Sequence, residues 1–221
     1  MNSKVALVIG ASGLVGLELT KQLLMDDHYQ SVHVFVRQHL QLGDEFDINP
    51  KLIEHIVDFN DISQWQSLLQ GDDLFCCIGT TLKQAGSKQN QTKVDLDLPS
   101  NIATYANNNG VLRFALVSAA GAYHQSSSFY LRLKGLLEQN ILALNWQQVV
   151  IVRPSFLQGK RANVRVGEQL AIVLFSFLKF VPWVNKYKPI KANQVAKKMR
   201  TLLNSTPHEK VLIEELDELF K

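Results

Sequence analysis

At 221 residues the chain is long enough for one α/β domain with a sizeable core, and dividing it in two would leave two small cores. Apolar residues make up 46% and charged residues 19%, which excludes a disordered chain, and a net charge of +3 with no basic stripe sets nucleic acid aside as a partner. Six scattered histidines without paired Cys/His spacing imply no metal site.

Strand and helix patterns alternate from the start, and Met1 to Lys4 runs into the first strand without an apolar leader. Val5 to Ile9 is a continuous apolar run, suited to a parallel strand covered on both faces. A helix follows from Leu14 to Leu24, then strands at Val32–Val36 and Leu52–Val57, and a short helix at Ile62–Leu69 closed by Gly71. Leu74 to Ile78 is the fourth strand and contains Cys76 and Cys77. Adjacent cysteines bridge only with severe strain, so both thiols are expected to be reduced and buried, in a cytoplasmic protein.

The next helix lies within Gln91 to Asn109, where Pro99 starts or kinks the regular part and Gly110 stops it. A fifth strand at Leu112–Val117, a helix at Phe129–Leu144 and a sixth strand at Val149–Val152 complete the alternation. Later come an apolar stretch near 170–184, a helix at Ala192–Leu203 and a short strand at Val211–Ile213. The apolar stretch is too short for a membrane span and is broken by Lys179. The expectation is one α/β domain over 1–221, a Rossmann-type doubly wound parallel sheet. Residues 1–155 would form its cofactor-binding core, and 156–221 a small substrate-side extension.

Gly10-Ala11-Ser12-Gly13-Leu14-Val15-Gly16 stands between a buried strand and a helix. Glycine permits the tight turn and lets backbone approach a pyrophosphate, which the free N–H groups and dipole of the helix start favour. Gly10, Ser12, Gly13, Leu14 and Val15 are therefore expected at the cofactor. The second strand ends at Arg37, with no acid there to accept from a ribose 2′-hydroxyl. A guanidinium at this point suits a 2′-phosphate, so NADP is expected ahead of NAD. Asp58 suits either the adenine amino group or the cap of the following helix. Cys77, Gly79 and Thr80 end the fourth strand with small side chains that leave room for a ligand.

Tyr130 and Lys134 are four apart on one helix face, and Ser118 ends the fifth strand. A nearby ammonium favours phenolate, so Tyr130 could exchange a proton near neutral pH while Ser118 bonds the reacting oxygen. This order of glycine turn, serine and YxxxK resembles the short-chain dehydrogenase/reductase superfamily. Within it the sequence is most similar to the atypical, Tat-interacting-protein-like oxidoreductases. Further matches are Ala85-Gly86, Val94-Asp95, Gly110-Val111, Arg113-Phe114, Tyr130 to Gly135 and Arg153-Pro154.

The resemblance implies a catalytic Ser118–Tyr130–Lys134 trio, a second role for Lys134 on the nicotinamide ribose, and Pro154 beside the nicotinamide. Two departures are Asp95, where the superfamily often has asparagine, and Ala119, where it often has a second serine. The function expected is NADP-dependent oxidoreduction of a small carbonyl or alcohol. The alternative is a non-catalytic NADPH-sensing module with a protein partner. A nucleotide-sugar epimerase is a weaker third reading, because the stretch after Arg153 is short for such a pocket.

Overall fold

The computed structural model describes residues 3–155, 157–158, 189–205 and 209–215. The apolar stretch near 170–184 lies outside them. In chain order the elements are β1 (Lys4–Ile9), α1 (Leu14–Leu24), β2 (Tyr29–Val36), α2 (Asp44–Asp47), β3 (Leu52–Ile56), β4 (Asp73–Cys76), α3 (Leu82–Ala85) and α4 (Lys88–Thr92). There follow α5 (Leu98–Asn108), β5 (Arg113–Val117), α6 (Phe129–Leu142), β6 (Gln148–Arg153), β7 (Leu157–Gln158), β8 (Ile190–Lys191), α7 (Ala192–Asn204) and β9 (Val211–Glu215).

Seven strands form one parallel sheet in the order β3-β2-β1-β4-β5-β6-β9, and β7 pairs with β8 separately. Strand order reverses between β1 and β4, which opens a crevice at their C-terminal ends. Successive residues of β1 serve opposite faces. Ala6 and Val8 pack with Leu19 and Leu23 of α1 and with Val195 and Met199 of α7. Leu7 and Ile9 pack with Ile102 and Ala106 of α5 and with Leu137 and Ile141 of α6. Both faces of β1 are covered, so Val5 to Ile9 is continuously apolar rather than alternating. This is the doubly wound Rossmann-type architecture expected.

Three details differ from the sequence reading. Residues 62–69 form two 3₁₀ turns, Ile62–Gln64 and Gln66–Leu68, around buried Trp65. The Trp65 indole donates to the Asp58 carbonyl at 2.9 Å and packs on Phe35 and Phe59, which fixes the segment without a regular helix. The helix expected within 91–109 begins earlier and is not uniform. Ser87 caps α4, a π-turn spans Lys93–Asp97, and Pro99, which has no N–H for the helical ladder, stands just after that turn. Lastly, α7 and β9 lie in the stretch read as a substrate-side extension, yet they complete the main sheet and one of its helical layers.

The N-terminal end of the sheet is closed by a buried polar cluster. Asp73 is fully buried against the Arg113 guanidinium and accepts from the Tyr29 hydroxyl at 2.6 Å. Arg113 also donates to the Leu203 carbonyl of α7 at 3.1 Å. Burial, and then the neighbouring Asp73 carboxylate, push the Tyr29 phenol up, so it stays a donor.

Candidate active site

A cleft of about 1540 Å³ occupies the crevice where strand order reverses. Its first wall is the turn after β1. Gly10 takes φ +84°, and a Cβ there would fall 2.8 Å from the Cys77 carbonyl carbon. A Cβ on Gly16 would meet the Gly10 oxygen at 2.1 Å, so the helix seats on the turn only with glycine. Gly13 precedes α1 with an ordinary φ of −80°, and no side chain caps the helix start. The first N–H groups of α1 are left for a ligand.

Ser12, Gly13, Leu14 and Val15 line this wall together with Gly10. Arg37 lies exposed at the end of β2 and lines the same cleft. Asp58 lines it as well. Its carboxylate accepts from the Asn60 backbone and side-chain amides, both at 2.9 Å, while Asp61 precedes the 3₁₀ turn, so Asp58 is not the cap.

Cys77, Gly79 and Thr80 line the middle of the cleft. The Thr80 N–H donates to Asp95 Oδ1 at 2.8 Å, and Gln91 Nε2 donates to Asp95 Oδ2 at 3.1 Å. Fully buried Asp95, carried on the π-turn, thus fixes the loop after β4. Cys76 and Cys77 are free thiols, and burial pushes both up. Cys76 is buried as expected, whereas Cys77 is half-buried at the cleft.

Ser118, Tyr130 and Lys134 line the far wall. Lys134 is 2% exposed; its Nζ lies 3.8 Å from Asp95 Oδ1 and donates to the Ile78 carbonyl at 3.4 Å. Tyr130 is 38% exposed. The Ser118 hydroxyl donates to Glu138, whose carboxylate is gripped by Arg153 through Nε at 3.0 Å and Nη2 at 2.6 Å. Pro154 lines not this cleft but an adjoining pocket of about 650 Å³, which shares Thr80, Ser118, Tyr130 and Leu157 with it.

Glu138 escaped the sequence reading, although a signal existed: Tyr130, Lys134 and Glu138 repeat every four residues along one face of α6. Gly135 was legible only as part of a motif. A Cβ there would meet the Tyr123 and His124 backbone at 2.3 Å, so glycine lets the 121–128 loop seat on α6.

Fold and cleft together define a Rossmann-type domain with a ligand-sized crevice where strand order reverses. The chain belongs to the NAD(P)H-binding family, whose sequence pattern matches residues 10–170. It is similar to Protein HTATIP2 of Rattus norvegicus, 32% identical over 206 residues that cover 93% of this chain and 82% of the relative. It is also similar to the mitochondrial Protein FMP52 of Debaryomyces hansenii, 30% identical over 198 residues, or 87% and 84% of the two chains.

Among solved structures, the UDP-glucose 4-epimerase of Thermus thermophilus in complex with NAD superposes with a TM-score of 0.70 at 16% identity. The match covers 96% of this chain and 77% of that one, and it shows a shared fold.

The FMP52 relatives from Debaryomyces hansenii, Candida glabrata and Saccharomyces cerevisiae are named mitochondrial, which overturns the cytoplasmic expectation. Reduced thiols report a redox state and do not distinguish one reducing compartment from another. Among the described residues no helix is long and apolar enough to cross a membrane, and no cluster of three or more His, Cys, Asp or Glu could hold a metal.

Proposed function

We propose that this protein is an NADP-dependent oxidoreductase of a small carbonyl compound or alcohol, with Ser118, Tyr130 and Lys134 as its working trio. One observation carries the reading: side chains from the end of β5 and the first turns of α6 line the same cleft as the glycine turn and Arg37. The residues present fit a dinucleotide. The uncapped start of α1 suits a pyrophosphate, and Arg37 suits the 2′-phosphate. The described residues Leu157, Gln158 and Lys191 to Asn193 line the cleft from the C-terminal part of the chain.

When bound, the nicotinamide supplies or accepts hydride. Tyr130 acts as the acid in reduction and the base in oxidation. Lys134, held beside Asp95 and one helical turn from Tyr130, anchors the ribose. Ser118 fixes the substrate oxygen.

Tyr130→Phe should keep cofactor affinity and lower carbonyl reduction by roughly 10²–10⁴-fold, since only a proton donor is removed. Lys134→Ala should weaken both. Steady-state rates on a carbonyl panel, alongside calorimetric titration of NADPH, decide this, and undiminished turnover in Tyr130→Phe removes the assigned role. The cofactor preference has its own test. NADPH should bind more tightly than NADH, and Arg37→Asp should erase a preference of about ten-fold or more. Equal affinities in the parent would sink the NADP assignment.

The second reading is an NADPH-sensing module that binds a protein partner without chemistry. It is favoured by the engagement of the Ser118 hydroxyl with Glu138, because that proton is then not presented to a substrate. On that reading no carbonyl or alcohol turns over, and Tyr130→Phe matches the parent in cofactor and partner binding.

A further inference from the structure

Ser118 is 4% exposed, and both its hydrogens are committed. Its N–H donates to the Val152 carbonyl at 2.8 Å, and its hydroxyl donates to Glu138 Oε1. Glu138, also 4% exposed, lies one helical turn beyond Lys134. Its carboxylate only accepts, because Arg153 forks onto both oxygens. Arg153 is anchored in turn by Glu215 of β9 at 3.0 Å, and Glu215 accepts from the Gly121 N–H at 2.9 Å. The acceptor of the Ser118 proton is therefore locked by three neighbouring segments: β6, β9 and the loop after β5.

We propose that Glu138 is a positioning residue that holds the Ser118 proton away from the cleft, so that the site binds an alcohol in preference to the corresponding carbonyl compound. Only lone pairs of Ser118 Oγ are then left for a ligand. An alcohol O–H donates to them, whereas a carbonyl oxygen meets them as acceptor to acceptor. To engage a carbonyl, Ser118 must turn off Glu138 and exchange a charge-assisted hydrogen bond for a neutral one of about half the strength. The inference rests on the reading of this cleft as an oxidoreductase site. It concerns which redox form of the substrate is held, not the rate of the step.

The test uses the full chain as Tyr130→Phe, loaded with NADP⁺, with cyclohexanol and cyclohexanone as probes titrated by calorimetry. The alcohol should bind about ten-fold more tightly than the ketone. Adding Ser118→Ala should bring the ratio to about one. So should Glu138→Leu combined with Arg153→Met, which removes both charges of the buried pair and leaves Glu215, 30% exposed, with the Gly121 N–H as donor. Equal affinities, tighter ketone binding, absence of binding by either probe, or a ratio that survives Ser118→Ala would each overturn the proposal. Formation of NADPH from cyclohexanol in the Tyr130→Phe background strikes the role of Tyr130 instead, and that outcome is read separately by absorbance.

Discussion

A buried carboxylate–guanidinium pair stands at each end of the parallel sheet. Asp73 and Arg113 meet where β4 and β5 begin, and Glu138 and Arg153 meet beside the end of β6. The chemistry is the same and the surroundings are not. At the N-terminal end the remaining partners are protein groups from distant segments: the Tyr29 hydroxyl and the Leu203 carbonyl. At the C-terminal end one partner is Ser118, which faces the cleft. A pair enclosed by protein fixes how elements dock. A pair with one partner on a cavity fixes what that cavity offers a ligand.

The comparison breaks most visibly at the enclosed end. Asp73→Ala strands the Arg113 guanidinium, which is 16% exposed, among apolar strands, so stability should fall by about 3–5 kcal/mol. Urea denaturation measures the loss, and cofactor affinity of the folded fraction should be unchanged. A loss under about 1 kcal/mol would mean that water reaches Arg113 and the cluster is not closed.

The open end should respond the other way. Gly13→Val keeps an allowed φ and needs a shift of only tenths of an ångström against the Gly10 oxygen, 3.1 Å from the added Cβ. Its branched side chain nevertheless occupies the mouth of α1 where an anion would sit. NADPH affinity should fall by roughly ten-fold or more, with the urea midpoint little changed. Unchanged affinity would show that the glycine turn is structural only.

The same contrast governs what the sequence made legible. Glycines are punctuation with steric meaning, so Gly10 and Gly16 located the turn, the strand before it and the helix after it. Apolar runs such as Val5 to Ile9 and Val149 to Val152 reported strands covered on both faces. Ser118, Tyr130 and Lys134 could be listed because a motif names them. Their contacts with other side chains could not. Asp95 reaches Lys134 through a π-turn, and a run of charged and apolar residues at 93–97 carries no signal for that geometry. Glu138 pairs with Arg153 across 15 residues, and Asp73 with Arg113 across 40, separations that only the strand order resolves. Trp65 likewise replaced a regular helix with two short turns, because one long-range packing contact outweighed local propensity.

A third carboxylate sharpens the comparison, because it belongs to the enclosed end but its partners face water. Asp26, between α1 and β2, accepts from Arg200 of α7 at 2.6 Å and from the His28 backbone at 3.0 Å. Burial alone would push the carboxyl up. The hydrogen bonds from His28 and the charge of Arg200 outweigh it and hold the carboxyl below its ordinary 3.8. The folded state therefore binds this proton less readily than the unfolded chain does. Its contribution to stability is complete above 3.8 and is lost as pH falls through the lower folded value. His28 is 56% and Arg200 27% exposed, so solvent screens the pair and its worth is at most about 1 kcal/mol. Parent minus Asp26→Asn, measured by urea unfolding, should be small and positive near neutral pH and should shrink towards zero in acid below 3.8. A difference that holds constant across that window would show that Asp26 acts by packing, and that charge at this end matters only where it is enclosed.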